Sequence, residues 1–211
     1  MSKRATQSFI TVSGIGRVAI RPDVADLRVG ATVAAETAAA AREATAGIMA
    51  AVSATIRALG VRDADLQTAS LLVTPRTDYS GGTPRVTGYE ATNALAVVVR
   101  DLERLGSLVD EAVEAGATSV DGPTFRLADP REATTSARRL AVEDAAGRAA
   151  TLAEAAGLRI VGIASIGEGG TRPMPMPRAA RMMAMADAAP SPVEVGTDEV
   201  RVEVEVVYLA S

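Results

Sequence analysis

LQTASLLVTPRTDYSGGTPRVTGYEATNALAVVVR, Leu66 to Arg100, is the stretch that decides the fold. Leu66 to Pro75 and Val86 to Arg100 are rich in Val, Leu, Thr and Ala and read as two long strands. The linker between them, DYSGGTP, carries Gly81, Gly82 and Pro84, residues suited to a reversal of chain direction. A long hairpin is therefore the expected centre of the fold.

Helical patterns flank it on both sides. Before it, TAAAAREATAGIMAAVSATIRALG predicts a helix from Thr37 to Leu59 that closes at Gly60, with Ala44, Ile48, Val52, Ile56 and Leu59 as its apolar stripe. After it, Asp101 is the expected N-cap of a second helix, which places Leu102, Leu105, Val109, Ala112 and Val113 on one face and ends near Gly116. Further out, Ser8 to Ser13 predicts a short strand broken by Gly14 and Gly16, and Asp23 to Ala35 a longer one. Val120 to Leu127 reads as a strand interrupted by Gly122-Pro123. A third helix opens with Asp129 at the N-cap and Pro130 at the first helical position. Its expected stripe is Ala137, Leu140, Ala141, Ala145, Ala149, Leu152 and Ala156. Leu158 to Ile166 is a strand, and Asp198 to Leu209 ends the chain with valines alternating against Arg201, Glu203 and Glu205. The order is β-β-α-β-β-α-β-α-β-β. Its central part resembles a split βαβ arrangement, so the fold class is α+β, a mainly antiparallel sheet packed with three helices.

Composition narrows the chemistry. The 211 residues contain no Cys and no His, which removes thiol nucleophiles, imidazole bases and the commonest zinc ligands. Aromatics are 2%, so the core rests on Ala, Val, Leu and Ile, each burying modest area. Net charge is −4 and the basic residues, all arginine except Lys3, are scattered; nucleic acid is excluded as a partner because it requires a basic stripe. No apolar run is long enough for a transmembrane segment. The N-terminal MSKRATQSFITVSG has no apolar core of signal-peptide length, so the chain as written is expected in the cytoplasm; a chain whose signal had been removed would be periplasmic or exported.

Glycine motifs and carboxylate pairs give little. GIGRVA, Gly14 to Ala19, imitates a dinucleotide fingerprint, but Pro22 leads into a strand where that fingerprint requires a helix. GEGG, Gly167 to Gly170, is a glycine loop without the Lys and Ser/Thr of a phosphate-binding loop. Asp23/Asp26, Asp63/Asp65 and Glu203/Glu205 read as exposed acids, whereas acid-base catalysis needs one pKa raised by burial. No catalytic residue, cofactor or metal site is assigned.

The remaining candidate is RPMPMPRAARMMAMADAAPSP, Arg172 to Pro192, with five of the seven methionines. Thioethers ligate Cu(I), but no His or Cys supports them. Pro and Ala favour disorder. The preferred reading is an adaptable apolar flap over residues 169–192 that contacts another subunit or partner through Met174, Met176, Arg178, Arg181, Met182, Met183 and Met185. With Arg172, the arginines make acidic faces or a peripheral contact with anionic lipid candidate targets.

Taken together, ITVSGIGRVAIRPDVADLRVG, DLQTASLLVTPRTDY, GYEATNALAVVVRDLERLGSLVDEAVEAGA, FRLADP, AVEDAAGRAATLAEAAG, VGIASIGEG and the Met/Pro segment resemble, in order and spacing, the SIMPL-domain (DUF541) family from Ile10 to Leu209. The resemblance implies one such domain over residues 8–210 behind a flexible N-terminus, residues 1–7. It also implies a non-enzymatic protein, commonly exported to the periplasm or cell surface, in some members immunogenic or linked to oxidative-stress defence. At least one member forms a ring-like, channel-shaped homo-oligomer, so the expected partner is the chain itself. The family has no agreed catalytic residues. Two alternatives stand beside this reading: a Met-rich Cu(I)-binding or oxidant-buffering protein, and an enzyme using a buried carboxylate.

Overall fold

The computed structural model describes residues 8–169 and 194–211. In chain order the elements are β1 (Ser8–Ile20), β2 (Val24–Ala35), α1 (Ala38–Ala58), β3 (Leu66–Asp78), β4 (Arg85–Val99), α2 (Leu105–Glu114), β5 (Ser119–Arg126), α3 (Arg131–Ala155), β6 (Ile160–Gly169) and β7 (Asp198–Ala210). The fold is α+β, and these elements follow the expected order. They fall into two compact units.

The unit formed by β2 to β5 with α1 and α2 carries an antiparallel sheet in the order β3-β4-β2-β5. That is the split βαβ topology, and the hairpin of Leu66 to Arg100 forms its β3–β4 half. Leu27, Val29, Val97 and Val99 on the sheet bury against Val52 and Ile56 of α1 and Leu105 and Leu108 of α2. Thr37 caps α1, its hydroxyl accepting the Ala40 N–H at 3.2 Å. The buried stripe of α1 is Ala41, Thr45, Met49, Val52 and Ile56, while Ala44 is exposed. Thr45 is polar, so an apolar pattern does not mark it. Its hydroxyl stands 2.8 Å from the Ala41 carbonyl and 3.2 Å from that of Ala91, which satisfies it inside the core.

Two helix starts differ from expectation. Asp101 does not cap α2 through its side chain; Leu102–Arg104 first form a short 3₁₀ turn, and α2 begins at Leu105. Val113, expected on the apolar face, is half exposed. At α3 the N-cap is Pro130 rather than Asp129. Asp129 accepts instead from the Arg131 N–H and guanidinium. β5 runs through Gly122-Pro123 as one strand; the two residues form a bulge opposite Leu27, with Gly122 at φ +113° and a cis bond to Pro123.

The unit formed by β1, α3, β6 and β7 has the sheet order β1-β7-β6. The chain does not break at Gly14. β1 continues to Ile20 and pairs with β7 over its whole length, from Ser8↔Ala210 to Ile20↔Asp198. The glycines serve the helix instead. A Cβ on Gly14 would stand 2.0 Å from the Ala141 carbonyl oxygen, and one on Gly16 would stand 1.8 Å from that of Ala137. Backbone thus approaches backbone, and only alanines fit the facing stripe: Ala137, Ala141, Ala145, Ala149 and Ala153 are buried, whereas Leu140 and Leu152 are turned out and about half exposed. Val202, Val204, Val206 and Tyr208 of β7 complete this core, with the intervening charges on the open face as expected. Gly167 to Gly169, expected in a loop, belong to β6 and pair with Glu203 to Glu205.

Candidate functional site

Met174, Met176, Arg178, Arg181, Met182, Met183 and Met185 lie outside the described residues. Three other features bear on function: the sheet edges, the carboxylates and one ionic cluster.

β3 is an edge strand whose residues are almost all exposed. Leu71 and Leu72 are 61% and 57% exposed, and Val73, Tyr79 and Val86 add apolar surface along the same hairpin. Register explains why both faces are open. Leu71 and Val73 lie opposite Asn93 and Ala91, on the helix side of the sheet, yet among the described residues only the start of β3, at Leu66, packs against the core that α1 helps to form, and Leu71 and Val73 stay exposed. β6, an edge of the other sheet, exposes Val161, Ile163 and Ile166. Apolar edge strands of this length invite pairing with another chain unless something covers them. β1 is treated differently. The Asp144 carboxylate, itself held by Arg148 at 2.9 Å, accepts the Ile15 N–H at 2.8 Å and so occupies that one edge donor. This backbone hydrogen bond holds the Asp144 carboxyl below its ordinary value.

The Asp23/Asp26 pair is a structural tie. Asp26 grips Arg126 at 2.6 and 2.9 Å, and Asp23 accepts the Ala128 N–H at 2.7 Å; together they fasten the start of β2 to the end of β5. Glu203 and Glu205 are exposed on β7. Asp63 pairs with Arg57 at 2.6 Å.

Asp65 corrects the expectation of an exposed acid: it is 7% exposed. It ends a short 3₁₀ turn, Asp63–Asp65, leading into β3. Arg100 Nε and Nη2 donate to its two oxygens at 2.9 Å each, and Arg62 Nε donates at 2.7 Å. These hydrogen bonds, Arg100 first and Arg62 second, outweigh the desolvation of the carboxyl and hold it far below the usual carboxylate range. A general acid needs the opposite shift, so Asp65 does not suit the buried-carboxylate enzyme reading. Arg62 is close in sequence, but Arg100 arrives only because Leu66 pairs with Val97 across the hairpin. The arginines line a recess of about 130 Å³ that also includes Arg104, whose Nη1 donates to the Leu59 carbonyl at 3.1 Å. Among the described residues, no three His, Cys, Asp or Glu side chains converge as a metal site. No described helix is long and apolar enough to cross a membrane.

These features define an α+β protein built on two antiparallel sheets, with apolar edges and with Asp23, Asp26, Asp63, Asp65 and Asp144 engaged in structural contacts. Residues 10–208 match the family described as SIMPL, protein of unknown function (DUF541), and the chain belongs to that family. It is 33% identical over 175 residues to the 26 kDa periplasmic immunogenic protein of Brucella melitensis, a match covering 81% of this chain and 70% of that protein. The protein of the same name from Brucella abortus matches equally. The uncharacterized protein YggE of Escherichia coli K12 is 31% identical over 144 residues, covering 68% of this chain and 58% of YggE. These relatives carry the names of immunogenic or uncharacterised proteins, not of enzymes.

Proposed function

We propose that the chain is a non-enzymatic, self-assembling protein of the cell envelope. It associates with copies of itself into a closed ring-like or channel-shaped oligomer linked to envelope or oxidative-stress functions. The observation that carries this reading is the apolar edge strand β3, with Leu71, Leu72 and Val73 exposed and no further strand paired to it among the described residues. A second copy offers the most available cover, and closed symmetry limits growth that open edge pairing would leave unchecked. The periplasmic name of the Brucella relatives supports export over the cytoplasm.

Light scattering of the purified chain is expected to give a mass several times the 21.6 kDa of one copy. Leu71→Glu removes roughly 2 kcal/mol of apolar burial at each contact and puts a charge in its place, so it shifts the mass towards one copy. A wild-type chain that is monomeric at all concentrations overturns the reading. Deleting residues 172–190 is expected to lower the oligomer size. An unchanged mass removes the flap from the interface and leaves the hairpin in it.

A second reading rests on the clustering of five of the seven methionines in Arg172 to Pro192. Exposed thioethers bind Cu(I) and oxidise reversibly to sulfoxide, which would protect other targets. A Cu(I) titration without binding, together with sulfoxide yields no higher than in the unfolded chain, removes it. Met49, buried in α1, is the internal reference for a shielded methionine.

A further inference from the structure

We propose that the recess beside Asp65 is a binding site for a small organic carboxylate, held by Arg62, Arg100 and Arg104. The proposal is separate from self-assembly and rests on donor geometry. Each guanidinium has five N–H donors and no acceptor. Arg100 engages Asp65 through Nε and Nη2, Arg62 through Nε, and Arg104 engages Leu59 through Nη1. Among the described residues, Arg100 Nη1, both terminal nitrogens of Arg62, and Arg104 Nε and Nη2 have no acceptor.

Asp65 is the positioning residue. One buried carboxylate holds both guanidinium groups, so an incoming anion does not have to order two long side chains. Such groups would otherwise repel each other, and an anion bridging them relieves what Asp65 leaves uncompensated. Both remain reachable: the Arg62 side chain is 60% exposed and that of Arg100 46%. Asp101 also lines the recess, so the wall carries three positive and two negative groups, and one of the negatives, Asp65, is already engaged by two arginines.

Size and wall chemistry select the ligand class. About 130 Å³ lies well below the roughly 300–1,000 Å³ of drug-sized or cofactor sites, which excludes a nucleotide. Val61, Val99 and Leu108 give the recess apolar walls. Planar guanidinium forks match a carboxylate, and the walls accept a short alkyl tail that inorganic phosphate lacks.

The test is calorimetric titration of the full chain with butyrate, acetate, inorganic phosphate and the neutral butyramide. Butyrate is expected to bind more tightly than acetate or phosphate, and butyramide not at all. Arg104→Met keeps side-chain length and weakens butyrate by about tenfold, the effect of losing one charge-assisted donor pair. Arg42→Met, on the exposed face of α1, leaves the affinity unchanged. Should Arg104→Met fail to fold, Arg62→Met carries the same expectation. The proposal is overturned by the absence of butyrate heat at tens of millimolar, by equal binding of butyramide, by phosphate binding as tightly as butyrate, or by arginine variants that bind like wild type.

Discussion

Gly16→Ala is expected to lower stability by about 3 kcal/mol, the upper part of the range for overpacked cores, and to depress the melting temperature by roughly 6–12 °C for a chain of this size. The added methyl carbon would stand 1.8 Å from the Ala137 carbonyl oxygen and 2.6 Å from the Ala141 nitrogen. Both are backbone atoms of α3, so no rotamer change relieves the clash. The helix must lift from the sheet, and the small side chains of Ala137, Ala141 and Ala145 cannot fill the gap that opens. Gly147→Ala is the control. It lies in α3 with nothing within 4 Å of its would-be Cβ, so the same chemical change should stabilise the chain by about 1 kcal/mol through helix propensity. Opposite signs in urea melts are the expected outcome. A Gly16→Ala chain as stable as wild type would mean that α3 does not sit this close to β1.

The second large effect belongs to Asp65→Asn, which removes the charge that two arginines share. A fully buried pair broken in this way costs about 3–5 kcal/mol, while an exposed pair is worth less than about 1 kcal/mol. Asp65 is buried but its partners are about half exposed, so screening by water places the expected loss near 2 kcal/mol at neutral pH. The pH dependence has a definite sign. The folded-state pKa of Asp65 is depressed, so its contribution is complete above the unfolded value of about 3.9 and is lost as pH falls through the folded value. Wild type and Asp65→Asn should therefore differ by a constant amount above about pH 5 and converge as the solution is acidified. A gap that stays the same down to strong acid would show that the ionised carboxylate is not what holds Arg62 and Arg100.

Particular residues show where sequence reading holds and where it stops. The β3–β4 hairpin and the alternation of β7 were legible because each is local: a turn composition and a period of two. Gly14 and Gly16 look like a strand break in sequence because strand propensity counts glycine as a breaker, and only a partner surface explains one inside a strand. Leu140 and Leu152 fit the buried stripe in sequence because they are apolar at helical spacing. Their size keeps them off the face that touches Gly14 and Gly16. Asp65 looked like a turn acid, since nothing local distinguishes it from Asp63.

By itself, then, the sequence determined the element order, the α+β class, the hairpin and the family, all of which follow from short-range periodicity, turn chemistry and the order of motifs. Tertiary structure alone decided that Gly14 and Gly16 admit the α3 backbone, that Leu71 to Val73 of β3 stay exposed, and that Arg100 meets Asp65 and Arg62 at a recess. Each of those depends on pairing register or on the distance between elements remote in the chain, and a local pattern encodes neither.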